Sequence, residues 1–294
     1  MAGVRRSEFT EAMKKDLYDW FYQKYVEIEP TYKQLFNVVP STAAYEKFTV
    51  AVGLGDMLEK PEGTALKADN PLEAWTVVCK NRTFGRKVQF TYEAVEDAQK
   101  VDNFLKTSVG QWAESVDRSK DRWYVKFFSK GAFTAGHTVF NNTIPGVVTD
   151  SSGDKIYDSQ AFFGSAHPDQ VGNTYNNTAG STNLTHTNLK TYYETFTTTN
   201  AFDERGNEIV MEPDTLLIKP DNLFNARVIL ANTSIPGSAD NDINVLGSIV
   251  DILVWRRIAG TAIWVLCKKK YGLMATERQG PVIDFYQDEE TKDY

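Results

Sequence analysis

From Ser7 to Ile28, Phe9, Met13, Leu17 and then Trp20 or Phe21 recur every three or four residues. That spacing predicts a helix with one apolar face. Ser7 is its expected N-cap and Glu29-Pro30 its end. Such a helix needs a surface to lie on, either its own core or a neighbouring subunit. From Tyr45 the period shortens to two, and YEKFTVAVGLG predicts a strand. The polar run MLEKPEGTALKADNPLEA, with Pro61, Gly63 and Pro71, predicts a long excursion or hairpin tip. WTVVCKNRTFGRKVQFTY then returns as strands. A two-stranded arm of this kind is marginal alone and must pack on something else.

The strongest helical pattern follows. Val101, Leu105, Val109, Trp112, Val116, Trp123 and Phe127 repeat in steps of three, four or seven. They predict a helix from about Glu93 to about Ser129, roughly 50 Å long, with Gly131 as its stop. Lys106, Glu114, Asp117 and Lys120 fill the remaining positions. Thr134 to Asn183 is rich in Gly, Asn, Thr and Ser and reads as loop. A second helix is expected from about Thr185 to Asn200, then a charged turn in FDERGNEIV and a buried strand in TLLIK. Asp221 is the expected cap of a helix carrying Leu223, Phe224, Arg227 and Leu230. IVDILVWRRI and AIWVLC predict strands, and Thr276 to Tyr294 an extended acidic tail. No internal repeat is read. The second half reads as a compact α/β region of mixed order.

Charge and composition narrow the function classes. The net charge of -7 argues against a generic nucleic-acid-coating surface while leaving room for a local basic patch. Cys79 and Cys267 lie far apart, with no disulfide framework, which fits a reducing compartment. The first twenty residues, MAGVRRSEFTEAMKKDLYDW, lack the apolar core of a signal peptide. The most apolar window, Ile249 to Cys267, is interrupted by Asp251, Arg256, Arg257 and Gly260, so it predicts two buried strands and no membrane partner.

The search for chemistry yields little. FFGSAHPD places Ser165, His167 and Asp169 at alternate positions, on one face of an extended strand. A hydrolytic triad needs the imidazole between hydroxyl and carboxylate, and Pro168 implies a strand end, so a turn is the better reading. Gly53 and Gly55 are followed by Leu58 where a dinucleotide fingerprint needs glycine, and no phosphate-cradling loop occurs. His137, His167 and His186 are too dispersed for zinc. Asp240, Asp242, Asn244 and Asp251 fall at calcium-loop positions, but Val245 occupies the glycine position, so a polar turn is favoured. Arg82, Arg86 and Lys87 stand among Phe84 and Phe90, as a solvated strand face or as a contact for an acidic neighbour or nucleic acid. No cofactor and no enzymatic activity are expected. The inventory favours a protein that assembles.

Three stretches in the second half carry a resemblance: AFFGSAHP, then GNEIVMEPDTLLIKPDNLFNARVIL, then PGSADNDINVLGSIVDILVWRRIAGTAIWVL. In this order and spacing they resemble the major head subunit of Mu-like tailed phages and prophages. Lys219-Pro220 stands where that family often has Pro-Pro, and the chain stops at Tyr294, shorter than is usual there. The resemblance implies an α+β fold, the tailed-phage capsid fold of the Hong Kong phage type. Its parts would be an N-terminal arm over 1–41, an extended loop over 42–92, a peripheral domain with a spine helix over 93–131 and 271–294, and an axial domain over 132–270. It implies a shell of hexamers and pentamers around double-stranded DNA, held only by weak non-specific contact. Separate scaffold and portal proteins, decoration proteins as further candidates, assembly in the host cytoplasm and a place in the virion are implied as well. Lys60, Glu62, Lys67 and Asp69 on the arm, Trp20 and Phe21 on the first helix, and Pro236, Asp240 and Asp242 near the capsomer centre are the expected assembly residues. The competing expectations are a bacterial nanocompartment shell of the same fold, a serine hydrolase using Ser165 and His167, and a calcium-dependent module using Asp240 and Asp242.

Overall fold

The computed structural model describes residues 6–27, 30–70, 72–88, 101–129, 132, 160–235, 242–260 and 263–284. Its organising element is a three-stranded sheet. The middle strand β6 (Thr215–Ile218) runs parallel to β7 (Asp251–Val254) and antiparallel to β8 (Trp264–Cys267). All four residues of TLLI are buried because both faces of the sheet are covered. Successive side chains in a strand point to opposite faces. Leu216 and Ile218 therefore enter one core with Leu189 of helix α4 (His186–Glu194) and Ala226, Ile229 and Leu230 of α5 (Leu223–Ala231). Leu217 enters the other, with Trp255, Phe128, Tyr32 and Phe36. The two expected apolar strands are thus sheet strands, one on each side of β6.

The long helix α3 spans Val101–Val125 and tightens into a 3-10 turn over Lys126–Phe128. Its expected first residues, 93–100, and Gly131 lie outside the described residues. Helix α1 (Arg6–Glu27) packs along α3, with Leu17 and Phe21 against Val109 and Ala113, and Ile283 from the tail closes the same cluster. The apolar face of α1 is therefore satisfied within the chain. Ser7 falls inside α1, one residue past its start, so it is not the cap.

A short helix α2 (Tyr32–Leu35) leads into β1 (Asn37–Pro40), which pairs in parallel with β9 (Met274–Glu277). Residues 37–40 and 274–277, far apart in the chain, are thereby tied together beside α3. The arm is an antiparallel pair, β2 (Tyr45–Val52) and β3 (Leu72–Lys80), with a register shift between Thr49 and Ala51. Residues 53–70 between them carry no regular structure. Residues 81–88 were expected to continue as strand and do not, because they cross the end of α3.

Three local expectations are corrected. Asp117 was placed among the outward positions of the long helix, yet it is only 3% exposed, because α3 is packed on more than one side. Asp221 does not cap α5. It sits in a 3-10 turn over Pro220–Asn222 and pairs with Lys219 at 3.3 Å. A repeat also went unread: DQVGN (169–173) and DERGN (203–207) fold into matching turns. Asp169 accepts from the Val171 and Asn173 amides and the Asn173 side chain, and Asp203 accepts from the Arg205 and Asn207 amides and the Asn207 side chain. Gly172 and Gly206 hold left-handed φ values of 95° and 80°, which a side chain would strain. The turns stack, with the Gln170 amide donating to the Glu204 carbonyl and Tyr175 stacked on Phe202. β4 (His167–Pro168) and β5 (Thr174–Tyr175) flank the first of them.

Candidate assembly surfaces

The excursion of the arm is anchored through Arg205. Arg205 is carried on the second of the stacked turns, which fixes its backbone through Asp203. Its guanidinium donates to both oxygens of Asp69 at 2.9 Å and to the Asn70 carbonyl at 2.8 Å. Asp69 also accepts from the Gly55 amide at 2.7 Å, so it closes the excursion across its base. Arg205 and the amides of Gly55 and Asn70 together hold the Asp69 carboxyl below the usual carboxylate range. Of the four arm residues expected to contact a neighbour, Asp69 is thus engaged within its own chain. Lys60, Glu62 and Lys67 are exposed. So are large apolar side chains of the excursion: Met57 is 96% exposed, Leu66 78%, and Leu54 and Leu58 are also on the surface. Four large apolar side chains are thus left exposed in a short stretch, surface that a buried contact would remove from water.

Beside α3 the opposite situation holds. Asp121 is 5% exposed at its side chain and accepts from the Tyr32 amide at 3.2 Å, the Trp255 indole at 3.0 Å and Arg257 at 3.2 Å. One carboxylate therefore joins α2, α3 and the segment after β7. One turn earlier, Asp117 carries a carboxyl pushed up to about 6, chiefly by burial, with Asp121 and Glu277 adding to the rise and Lys120 and Lys33 opposing it. Lys120 bridges to Glu277 on β9 and donates to the Tyr25 hydroxyl at 3.0 Å. Burial works against its charge, but those partners outweigh it and hold it above the ordinary lysine range.

The other expected site residues fall apart as a set. The Trp20 indole donates to the Lys106 carbonyl at 2.9 Å and Phe21 is 2% exposed against α3, so packing within one chain accounts for both. Pro236 and Asp240 lie outside the described residues. The Asp242 carbonyl accepts from the Ile235 amide. Asn244 turns inward and caps the end of α5, donating to the carbonyls of Ile229 and Asn232 at 2.6 and 2.8 Å. Asp251 pairs with Lys269 at 3.0 Å. The described part of the calcium-like run, from 242 on, is therefore a turn in which Asn244 satisfies backbone groups. Among the described residues no group of three or more candidate ligands could hold a metal ion. In FFGSAHPD, both oxygens of Asp169 are taken by 171–175, including the Tyr175 hydroxyl at 3.1 Å. A triad needs that carboxylate on the imidazole.

Arg205 and Asp121 are the site residues that sequence reasoning missed, and Asn244, noted for calcium, serves as a cap instead. The repeated Asp-x-x-Gly-Asn pattern was the available signal for Arg205. For Asp121 there was none, since its partners lie 89 and 134 residues away in the chain.

The phage capsid protein family matches residues 76–293, well over half of the chain. Among solved structures, a chain of the bacteriophage JBD30 capsid superposes with a TM-score of 0.58 at 14% identity, covering 79% of this chain and 92% of that one. A chain of the JBD30 procapsid covers 86% and 100% respectively, at 14% identity and a TM-score of 0.49. No curated protein sequence matches. No described helix is long and apolar enough to cross a membrane. The family match and the shared architecture lead to one conclusion: this chain belongs to the phage capsid protein family, and it is a major capsid protein with the tailed-phage capsid fold.

Proposed function

We propose that copies of this chain close into hexamers and pentamers, which join into an icosahedral head around double-stranded DNA. Rings of this kind form when heterologous head-to-tail contacts close. The observation that carries the reading is the arm. Its base is fixed by Asp69 and Arg205, while Leu54, Met57, Leu58 and Leu66 face solvent. A neighbouring copy would bury these side chains, each gaining up to about 1.5–3 kcal/mol on full burial. Lys60, Glu62 and Lys67 would set the register, since exposed ion pairs add only about 0–1 kcal/mol each. In this assignment 1–41 is the N-terminal arm, 42–92 the extended loop, 93–131 with 271–294 the peripheral domain, and 132–270 the axial domain. The parallel pairing of β1 with β9 supports an N-terminal arm that lies against the peripheral domain. Scaffold and portal would be separate proteins, decoration proteins are further candidate partners, and assembly would take place in the host cytoplasm.

Negative-stain electron microscopy of the purified chain, alone and with the products of neighbouring genes, tests this. Rings, tubes or closed shells are expected. The double variant Met57→Glu, Leu66→Glu should keep its fold and lose them. A monodisperse monomer from the unmutated chain under every condition would overturn the proposal.

A further inference from the structure

The C-terminal half of α3 reads DRSKDRWYVK (117–126), with both signs of charge interleaved. Folding separates them. Asp117 and Asp121 are buried, at 3% and 4% exposure. Arg118, Arg122 and Lys126 are all exposed. These three are spaced by four residues, so they line one face of the helix and its closing turn. Each step rises about 6 Å, and the row spans about 12 Å. Among the described residues, none of the three enters an ion pair with a carboxylate. Glu114 marks the acidic end of the row.

A second segment widens the row into a strip. Residues 81–88 cross the same end of α3, where the Phe84 ring meets Trp123 edge-on at 5.0 Å and the Arg82 guanidinium lies 5.0 Å from the Trp123 ring. Lys126 lies over that ring at 5.6 Å. Phe84 is 65% exposed, and Arg86 and Lys87 follow it on the surface. The segment 80–88, KNRTFGRKV, contains no acidic residue, in a chain whose net charge is -7.

We propose that Arg118, Arg122 and Lys126, with Arg86 beside them, form a strip that contacts the phosphate backbone of the enclosed nucleic acid. This rests on the capsid reading, which supplies a polyanion on one side of the shell. A regular row of cations without a pocket suits an evenly charged backbone and reads no sequence. The contact is weak by construction. About 12 Å of duplex carries about seven phosphate charges, so the three helix cations, even with Arg86, neutralise only about half. Elsewhere the acidic subunit repels the duplex, so DNA is tracked without being held fast.

The test is fluorescence anisotropy of a short labelled duplex titrated with the unassembled full-length chain, with poly-glutamate as a second labelled probe. Duplex binding is expected at low salt, falling about 40-fold between about 50 and 200 mM as three counterions are displaced. Replacing Arg118, Arg122 and Lys126 together by Glu should abolish it, and replacement by Gln should weaken it while adding no repulsion. A control triple, Lys47→Glu, Lys190→Glu and Arg227→Glu, changes the net charge equally on other exposed surfaces and should retain most of the binding. Equal loss in both triples would overturn the proposal, as would binding of poly-glutamate without the duplex, which would assign the strip to an acidic protein. Electron microscopy of the same samples reads the capsid conclusion separately. Rings or shells from a chain whose strip variants bind DNA like the parent would leave that conclusion standing and remove this one.

Discussion

Asp121 and Asp69 do the same chemistry in opposite settings. Each accepts from an arginine and from a backbone amide; Asp121 adds the Trp255 indole. Asp121 lies at 5% side-chain exposure between α2, α3 and Trp255, while Asp69 lies at 43% on the rim of the arm. Near the surface, water screens the ion pair and competes for its hydrogen bonds, so the pair contributes little to stability. In the interior no water replaces a lost partner, and each orphaned donor costs its full desolvation. Similar bonds therefore weld one region and merely position the other. For a shell subunit that division is useful: the body keeps its shape while the arm keeps a contact it can adjust against a neighbour.

The comparison can be broken most directly at Asp121. Asp121→Ala leaves the Tyr32 amide, the Trp255 indole and Arg257 without their acceptor. A loss of about 3–5 kcal/mol is expected in urea unfolding, the usual cost of removing one partner of a buried charged network. A loss below about 1 kcal/mol would mean that this junction is no better held than a surface pair.

A smaller effect is expected at Asp117, and it depends on pH. Its carboxyl, at about 6 rather than 3.8, holds a proton in the folded chain that the unfolded chain has already released. Between about pH 4 and pH 6 the folded state thus binds more protons, and stability falls as pH rises through that window and stays lower above it. Asp117→Asn imitates the protonated form. Thermal unfolding should show the variant close to the parent at pH 4 and more stable by a few degrees at pH 8. A parallel offset at both pH values would show that this carboxyl does not titrate with folding.

The smallest change in stability is expected at Arg205. Arg205→Ala should leave the urea midpoint of the body nearly unmoved, because the pair it breaks is partly exposed. Limited proteolysis between residues 53 and 70 should accelerate several-fold, since local opening costs less than global unfolding. If cleavage is unchanged, the stacked turns do not hold the arm.

The elements that were legible in the sequence share one property: their patterns are local. The three-to-four spacing of Leu17 and Phe21, the seven-residue steps along α3, the alternation in β2 and the unbroken apolar run of β6 each report a face that must be buried. The polar run with Pro61 and Gly63 was read as an excursion for the same reason. Expectations about which side chain meets which fared differently. Trp20 and Phe21 were nominated for a neighbour's surface because a greasy helix face does not say what covers it, and α3 of the same chain does. Asp117 was placed outside because charged residues between apolar positions usually face water.

The sequence by itself determined that this chain would form a long amphipathic helix, an arm with a polar tip and a buried three-residue apolar run flanked by further strands. Backbone geometry and apolar spacing act over a few residues, so those elements follow from neighbours in the chain. The tertiary structure alone decided that β6 lies between β7 and β8, that β1 pairs with β9, and that Asp121 faces inward while Arg122 faces out. Each of these joins residues far apart in sequence, and its energy exists only once the chain has closed. Charge along DRSKDR is evenly mixed in one dimension and sorted in three, because burial selects one face of a helix and water keeps the other.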